Sequence, residues 1–406
     1  MARPPRNTEA FVPPAMQAAA PQAHEGAARP GIPPHTSASP PWRQADVLPA
    51  GLSAWLDAHA DALDSGAQDP ATLLPALADA GLFRWGVPAA YGGIPDTDAG
   101  HAIEAIAAVG SLSMAAAFVG WSQRSFIEFL LHTPNRALAG RWLPELVRGR
   151  MAGATALSNA MKYLSGIESL QISAREDGAA WRLDGVMPWV TNLRPQGFLV
   201  AAAVARPDGQ AAVVALPHDA PGLARGADLE LMGLRSTNTA AITVAHTPAG
   251  EASLLHADAR AYLPALRPVF VGLQCALSIG LARRGVEEAR SACPGGAAGA
   301  ILAASVDALS RRVEAASAAL IAGVRAGALA SRPLDLFELR IELAESAGAA
   351  VQLELQACGG AAYLTGRRPG FARRWREAAF VPIVTPSLLQ LRTEIARKRG
   401  DGGADR

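Results

Sequence analysis

The stretch DGVMPWVTNL, residues 184–193, decides how this chain is read. Asp184-Gly185 has the composition of a hairpin turn, and the run after it that of a strand carrying Trp189 and Thr191 two residues apart, hence on one face. A flat indole beside a hydroxyl suits a planar heteroaromatic ring, the indole covering the ring and the hydroxyl bonding its polar edge. On spacing alone the same tryptophan reads rather as a plug in the core of a small β-domain.

Around that stretch, residues 151–255 hold short alternating or β-branched runs such as LQISARE, FLVAAAVA, AAVVALP and AAITVAH, with EDG and PDG as turns. They predict an antiparallel β-domain. Residues 46–150 have helical spacing instead: LSAWLDAHADAL and ATLLPALADAGLF repeat their apolar residues every three or four, and Gly81 closes the second. The segment WGVPAAYGG that follows must be a rigid loop. Residues 256–399 return to helix, with Val306, Leu309, Val313, Leu320 and Val324 on one stripe, and predict a four-helix bundle. Residues 1–45, rich in Pro, Ala, Gly and Ser, and the terminal 400–406 have too little apolar surface to offset ordering, so disordered tails are expected there.

Composition narrows the function. The chain has 406 residues, a formal net charge of +1 and 50% hydrophobic residues, which argues against a nucleic-acid partner. Lys162 and Lys398 are the only lysines. Cys275, Cys293 and Cys358 are odd in number and far apart, which fits neither a disulfide framework nor a metal site and points to the cytoplasm. The longest apolar run, VFVGLQCALSIGLA, falls short of the about 20 residues of a membrane span, and the N-terminus lacks the apolar core of a secretory signal. No P-loop, HExxH or G-x-S-x-G stands in the sequence. The eight histidines are scattered; His132 and His246 read as surface or packing residues, and Glu287-Glu288 as a solvated helix face.

Five segments in order resemble the acyl-CoA dehydrogenase family of flavoproteins. LADAGLFRWGVPAAYGG (77–93) resembles its N-terminal loop, and DGVMPWVTN (184–192) its strand ending in W-[IV]-T-N. LMGLRSTNTAAITVAHTPAG (231–250) resembles K-[ML]-G-x-R-x-[ST]-x-[ST]. LELQACGGAAYL (353–364) resembles Q-x-x-G-G, and RRWREAAFVPIVTPSLLQLRTEIAR (373–397) resembles R-D-A-R-x-x-x-I-Y-E-G-T-x-x-I-Q. The resemblance covers about residues 50–398. It implies an α+β fold with an N-terminal helical domain, a central antiparallel β-domain and a C-terminal four-helix bundle. It further implies FAD as cofactor, a homodimer or homotetramer, and an acyl thioester as substrate.

The same resemblance places residues. Trp189, Thr191 and Ser158 (in GATALSNA) match positions at the flavin ring. Gln356, Gly359 and Gly360 match the segment that touches FAD from a neighbouring subunit, where a side chain would hold the backbone off the cofactor. Arg290 keeps the arginine of R-x-x-F-G, although Cys293-Pro294 follow where the family has its Phe-Gly pair. Arg235 falls in the third segment, as site residue or as partner of an acid across the β-domain, and Glu377 matches the aspartate of R-D-A-R as an ion-pair partner.

The departures concern the base. Thr385 stands where most members keep the glutamate that removes the α-proton, and Pro386 replaces the adjacent glycine. A neutral hydroxyl is a very poor base near pH 7. The alternative position on the first bundle helix, just before Arg267, holds Leu266, and Asn159 replaces the acid of F-x-x-T-E. Three activities are therefore open: an FAD-dependent oxidoreductase acting on the CH-CH group of an acyl thioester with an electron-transfer partner, a flavin monooxygenase fed by a reductase, or a non-catalytic flavin- or acyl-binding paralogue.

Overall fold

The computed structural model describes residues 47–178, 180–364 and 366–401, so the tail expected at 1–45 lies outside the described residues. Three of the N-terminal helices start at a side-chain cap. Helix α1 (Ala50–Ser65) buries Leu52, Leu56, Ala60 and Leu63 at spacings of four and three, and ends at Gly66 with φ 83°. After α2 (Leu73–Asp79), Asp98 and His101 form a reciprocal capping box on α3 (Ala99–Gly110). Ser113 caps α4 (Met114–His132) and Asn135 caps α5 (Arg136–Val147). The expected rigid loop is tied to α4: Arg124, buried and paired with Glu128 at 2.7 Å, donates to the carbonyls of Trp85 and Gly86.

One sheet of eight strands follows: β1 (Ala152–Thr155), β2 (Ile172–Asp177), β3 (Ala180–Val190), β4 (Phe198–Ala205), β5 (Ala211–Pro217), β6 (Leu223–Asp228), β7 (Ala240–Ala249) and β8 (Leu254–His256). A short helix, α6 (Ser158–Leu164), lies between β1 and β2. The order is β6-β7-β3-β2-β4-β5-β8, with β1 attached to β4. The expectation of an antiparallel domain holds for most pairs, but β1 and β2 both run parallel to β4. A helix-bearing crossover from β1 makes those parallel pairings accessible.

The turn expected at Asp184-Gly185 is not there. It lies upstream at the EDG segment, with φ 63° at Gly178, and Asp184-Gly185 sits inside β3. The register with β7 shifts between Leu183 and Gly185, which is a β-bulge. Only glycine fits, because a Cβ on Gly185 would stand 2.2 Å from the Gln171 carbonyl oxygen.

The C-terminal part contains α7 (Ala259–Ala292), α8 (Gly296–Arg325), α9 (Pro333–Cys358), α10 (Phe371–Phe380) and α11 (Leu388–Asp401). Helix α7 is the axis, flanked by α9 and α8 and also by the N-terminal α3 and α4. A Cβ on Gly280 would lie 2.3 Å from the Ala107 carbonyl, and one on Gly285 2.9 Å from Cα's substituent on Ala350, so glycine lets α3 and α9 close on α7. By length and composition α7 could cross a membrane, but 83% of its apolar window is buried within the protein. Helix α11 continues to Asp401, past the start of the tail expected at 400–406, with Lys398 and Arg399 in its last turn complementing the helix dipole.

Candidate functional site

Two residues in the middle of α4 hold the end of β3. Gln123, fully buried, donates to the carbonyls of Leu146 (2.8 Å) and Met151 (3.0 Å), and its Oε1 accepts from Gly153 N (2.6 Å) and Asn192 Nδ2 (2.9 Å). Ser122 donates to Gly153 O at 3.0 Å and to Thr191 O at 3.4 Å. Asn192, in the left-handed region at φ 65°, turns the chain there.

Trp189 and Thr191 do not share a face. The register of β3 against β7 shifts again between Met187 and Val190, so the alternation slips. Trp189 is 64% exposed, whereas Thr191 is 6% exposed and joins a buried hydroxyl chain, Thr191–Thr239–Thr237, with Oγ–Oγ distances of 2.9 and 2.8 Å. The structure does bring Trp189 to Ser158: both line a groove with Asn159, Gln171 and Val186.

The wall carrying Ser158 is tied to the C-terminal helix. Asn159 accepts from Gln171 N and donates to Ser169 O, and Lys162 pairs with Glu168 at 2.6 Å. Ser165, just past α6, donates to Glu394 of α11 at 2.9 Å and accepts from Gln390, while Arg397 donates to its carbonyl. Glu394 also faces Arg267 at 3.9 Å; burial lowers the affinity of that guanidinium for its proton, and Glu394 opposes the shift.

The loop 231–238 is clasped by α1. Buried Asp64 accepts from Leu234 N at 2.8 Å, and Ser236 donates to Gln68 O at 2.7 Å. Arg235 is exposed and stays local, bonded to Leu231 O and 3.9 Å from Glu230, so it reaches no acid across the β-domain.

Helix α10 presents three arginines to α1 and α9. Arg373 pairs with Asp61 of α1 and with Glu377, each at 2.8 Å; Arg376 pairs with Asp64; Arg374 pairs with buried Glu354 of α9. Burial opposes the charge of Arg373, yet Glu377 and Asp61 outweigh it and hold its proton more tightly than usual. Glu377 is thus the expected ion-pair partner, and its Oε1 also accepts from Met114 N at the start of α4. Glu288 is no solvated residue: it pairs with Arg284 at 2.8 Å and lies 3.8 Å from Arg374, while Glu287 is exposed as expected.

Beyond α10 the chain turns through the loop holding Thr385. Arg340, deeply buried on α9, donates to Val381 O (2.8 Å) and to Gln274 Oε1 (3.0 Å), and Gln274 donates to Thr385 O (3.0 Å). Thr385 therefore has a fixed backbone and a half-buried hydroxyl. Burial lowers the proton affinity of Arg340. Leu266 is buried, and the carboxylates of Glu377 and Glu394 are each engaged with an arginine.

Gln356, Gly359 and Gly360 are exposed at the C-terminus of α9, and a Cβ on either glycine would meet nothing within 4 Å. Arg290, at the end of α7, pairs with Asp307 at 2.8 Å. Within the chain no hydrogen bond or ion pair among the described residues joins these four to the Trp189 groove. Sequence reasoning missed Asp64, Gln123, Gln274 and Arg340; polar residues set inside apolar helical runs were the available signal.

Residues 52–150 match the family model described as the N-terminal domain of acyl-CoA dehydrogenases. Over that quarter of the chain the sequence is similar to the acyl-CoA dehydrogenases. Mitochondrial isovaleryl-CoA dehydrogenase of Pongo abelii is 27% identical over 173 residues, a stretch that spans 40% of this chain and 40% of that protein. Among solved structures, butyryl-CoA dehydrogenase from Megasphaera elsdenii superposes with a TM-score of 0.74 at 17% identity, covering 89% of this chain and 98% of that one. KijD3, solved in complex with FMN and a dTDP-linked amino keto sugar, superposes with a TM-score of 0.72 at 21% identity, covering 86% and 91%. The fold is that of the acyl-CoA dehydrogenases, with the helical, sheet and helical parts in the order the sequence predicts.

Proposed function

We propose that this protein is a flavin-dependent monooxygenase acting on a small acyl thioester. The observation that carries the reading is Thr385: Gln274 holds its carbonyl at 3.0 Å, yet it presents a neutral hydroxyl, and of the two carboxylates that flank it in sequence Glu377 is paired with Arg373 at 2.8 Å and Glu394 faces Arg267 at 3.9 Å. Losing a positioned general base costs about 10²–10⁴-fold, which counts against α-proton abstraction.

A flavin fits the residues present. The exposed Trp189 indole offers a flat apolar face beside the Ser158 hydroxyl, and the exposed Gly359-Gly360 backbone leaves room for close approach. Ser158 and Trp189 would hold the ring, and Arg290 and Gln356 the distal part in the FAD case; FMN would need only the first pair. Reduced flavin would supply the two electrons for oxygen activation. The balanced reaction is substrate C–H + O₂ + 2e⁻ + 2H⁺ → substrate C–OH + H₂O, with a flavin reductase as electron donor. The chain's own work is to fix the β3 end through Gln123 and to hold the loop at Thr385 through Gln274.

Exposed Tyr363 and Leu364 beside Gly360 support a second copy covering that end, hence a homodimer or homotetramer. The test is turnover with a reductase, NADH and ¹⁸O₂ on a panel of short acyl-CoA thioesters, with product mass as readout. Incorporation of one ¹⁸O is expected. Anaerobic bleaching of the oxidised flavin by a saturated acyl-CoA would refute the proposal and restore the dehydrogenase reading.

A further inference from the structure

Away from the Trp189 groove, a cavity of about 370 Å³ opens between α5 and the sheet. Leu138, Arg141 and Trp142 of α5 form one wall; Met151, just ahead of β1, and Pro217 and Pro248, near the ends of β5 and β7, form another. The cavity meets the paired strands β3 and β7 at Ala180 and Ala249, whereas the groove takes β3 between Val186 and Val190. Trp181 and Trp189 are separated by about 25 Å of strand at ~3.3 Å per residue. The two linings have no residue in common.

The walls are fixed in advance of any ligand. Asn135, the cap of α5, donates to the carbonyls of Glu251 at 2.8 Å and Leu254 at 3.1 Å, and Ser253 Oγ accepts from Gly250 N and donates to Gly250 O, each at 3.0 Å. A void of this size exceeds the water-sized gaps that close packing leaves and falls within the about 300–1,000 Å³ of small-molecule sites. Its walls are chiefly apolar, and two exposed charges stand on them, Arg141 and Asp219, neither in an ion pair among the described residues. The Arg141 guanidinium lies over the Trp142 ring, 4.6 Å from its centre. Stacking orients that planar group and leaves its N–H edge for a carboxylate, which accepts two parallel bonds from it.

We propose that this cavity binds a small carboxylic acid with an aromatic body, as a second ligand site besides the Trp189 groove. Arg141 takes the carboxylate, and the ring packs on Trp142 against Leu138, Met151 and Pro217. An aromatic ring is favoured over an alkyl chain because it gains from the indole beyond the area that it buries. Asp219, the one acid on the lining, repels a second negative charge and so selects against dicarboxylates and phosphate esters. The cavity is at the small end of the usual range, which suits a single ring with a short acid arm. The site is independent of whether a flavin occupies the Trp189 groove.

The experiment is calorimetric titration of the full chain with 3-phenylpropionate and with its neutral amide. Wild type is expected to bind one 3-phenylpropionate per chain, about tenfold or more tightly than the amide. Arg141→Ala should bring the two to within about twofold of each other, and Ala252→Trp, at an exposed position on the lining, should weaken both. Neither substitution should lower the melting temperature by more than about one degree, because Arg141 has no hydrogen bond or ion pair to lose among the described residues and Ala252 is exposed. Trp189→Ala should leave the titration unchanged. No saturable binding by wild type, equal binding of acid and amide, or an acid preference that survives Arg141→Ala overturns the inference. So does loss of binding in Trp189→Ala alone, which would put the ligand in the other groove, or a change of molecular mass in Ala252→Trp, which would mean that a second copy of the chain covers the mouth.

Discussion

Replacing Asp64 should damage the site from more than one loop away. Its Oδ1 accepts from Leu234 N at 2.8 Å and its Oδ2 receives Arg376, which is 34% exposed while Asp64 is buried. A hydrogen bond to a charged acceptor contributes about 1.5–3 kcal/mol, and an ion pair with one exposed partner lies nearer the surface value of about 0.2–1 kcal/mol than the buried one. Asp64→Ala should therefore cost about 3 kcal/mol, and Asp64→Asn, which keeps an acceptor for Leu234 N, about 1 kcal/mol. With ~2.1 cal/mol/K per residue over ~350 ordered residues, the unfolding entropy is ~0.7 kcal/mol/K, so the alanine variant should melt ~4 °C lower and the asparagine variant ~1.5 °C lower. The loop released carries Leu234 and Asn238, both at positive φ, and its Thr237 and Asn238 carbonyls hold the amides of Asn192 and Leu193. Flavin content, read from visible absorbance, should fall in the same order. The assay is differential scanning calorimetry with an absorbance spectrum of each purified variant. An alanine variant that melts within about one degree of wild type would refute the reasoning, since it would mean that neither interaction is worth its assigned energy.

The remaining predictions concern titratable groups. Burial pushes the Cys275 thiol up to about 12, against the opposing pull of Arg340, so native protein should expose at most two thiols to an aromatic disulfide reagent, with the third reacting only on denaturation. Three fast-reacting native thiols would contradict this. Partial burial pushes the Asp98 carboxyl up, but bonds from Arg325 and from His101 N outweigh it and hold the group below its usual value. A carboxylate depressed in the folded state stabilises above its unfolded pKa and stops doing so as pH falls through the folded one. Stability carried by Asp98 should therefore be lost below about pH 4, and Asp98→Asn should flatten the melting-temperature profile in that window. An unchanged acid limb in the variant would count against the cap.

Helices were legible because apolar spacing, caps and stops all point one way: α1 shows its buried stripe in LSAWLDAHADAL, and Gly81 stops the next helix where expected. The β-domain was legible in kind but not in register. Asp184-Gly185 has the composition of a turn, and nothing local shows that the Gln171 carbonyl lies against Gly185 and that β3 runs on through it; that is a tertiary constraint. The same limit separates Trp189 from Thr191, since a period of two fails wherever a strand slips against its partner. At the site, Ser158 and Trp189 were singled out from resemblance, and both line one groove. Gln123, Asp64 and Arg340 were not, because a buried polar residue declares its role only through partners brought from elsewhere in the chain.

The arginines of α10 also set an order of assembly. Arg373 with Asp61, and Arg376 with Asp64, join residues 312 positions apart. The clasp on the loop at Leu234 is thus completed only when the ribosome has delivered α10, long after α1 and the sheet have left the exit tunnel. Until then Asp61 and Asp64 are carboxylates without their guanidinium partners.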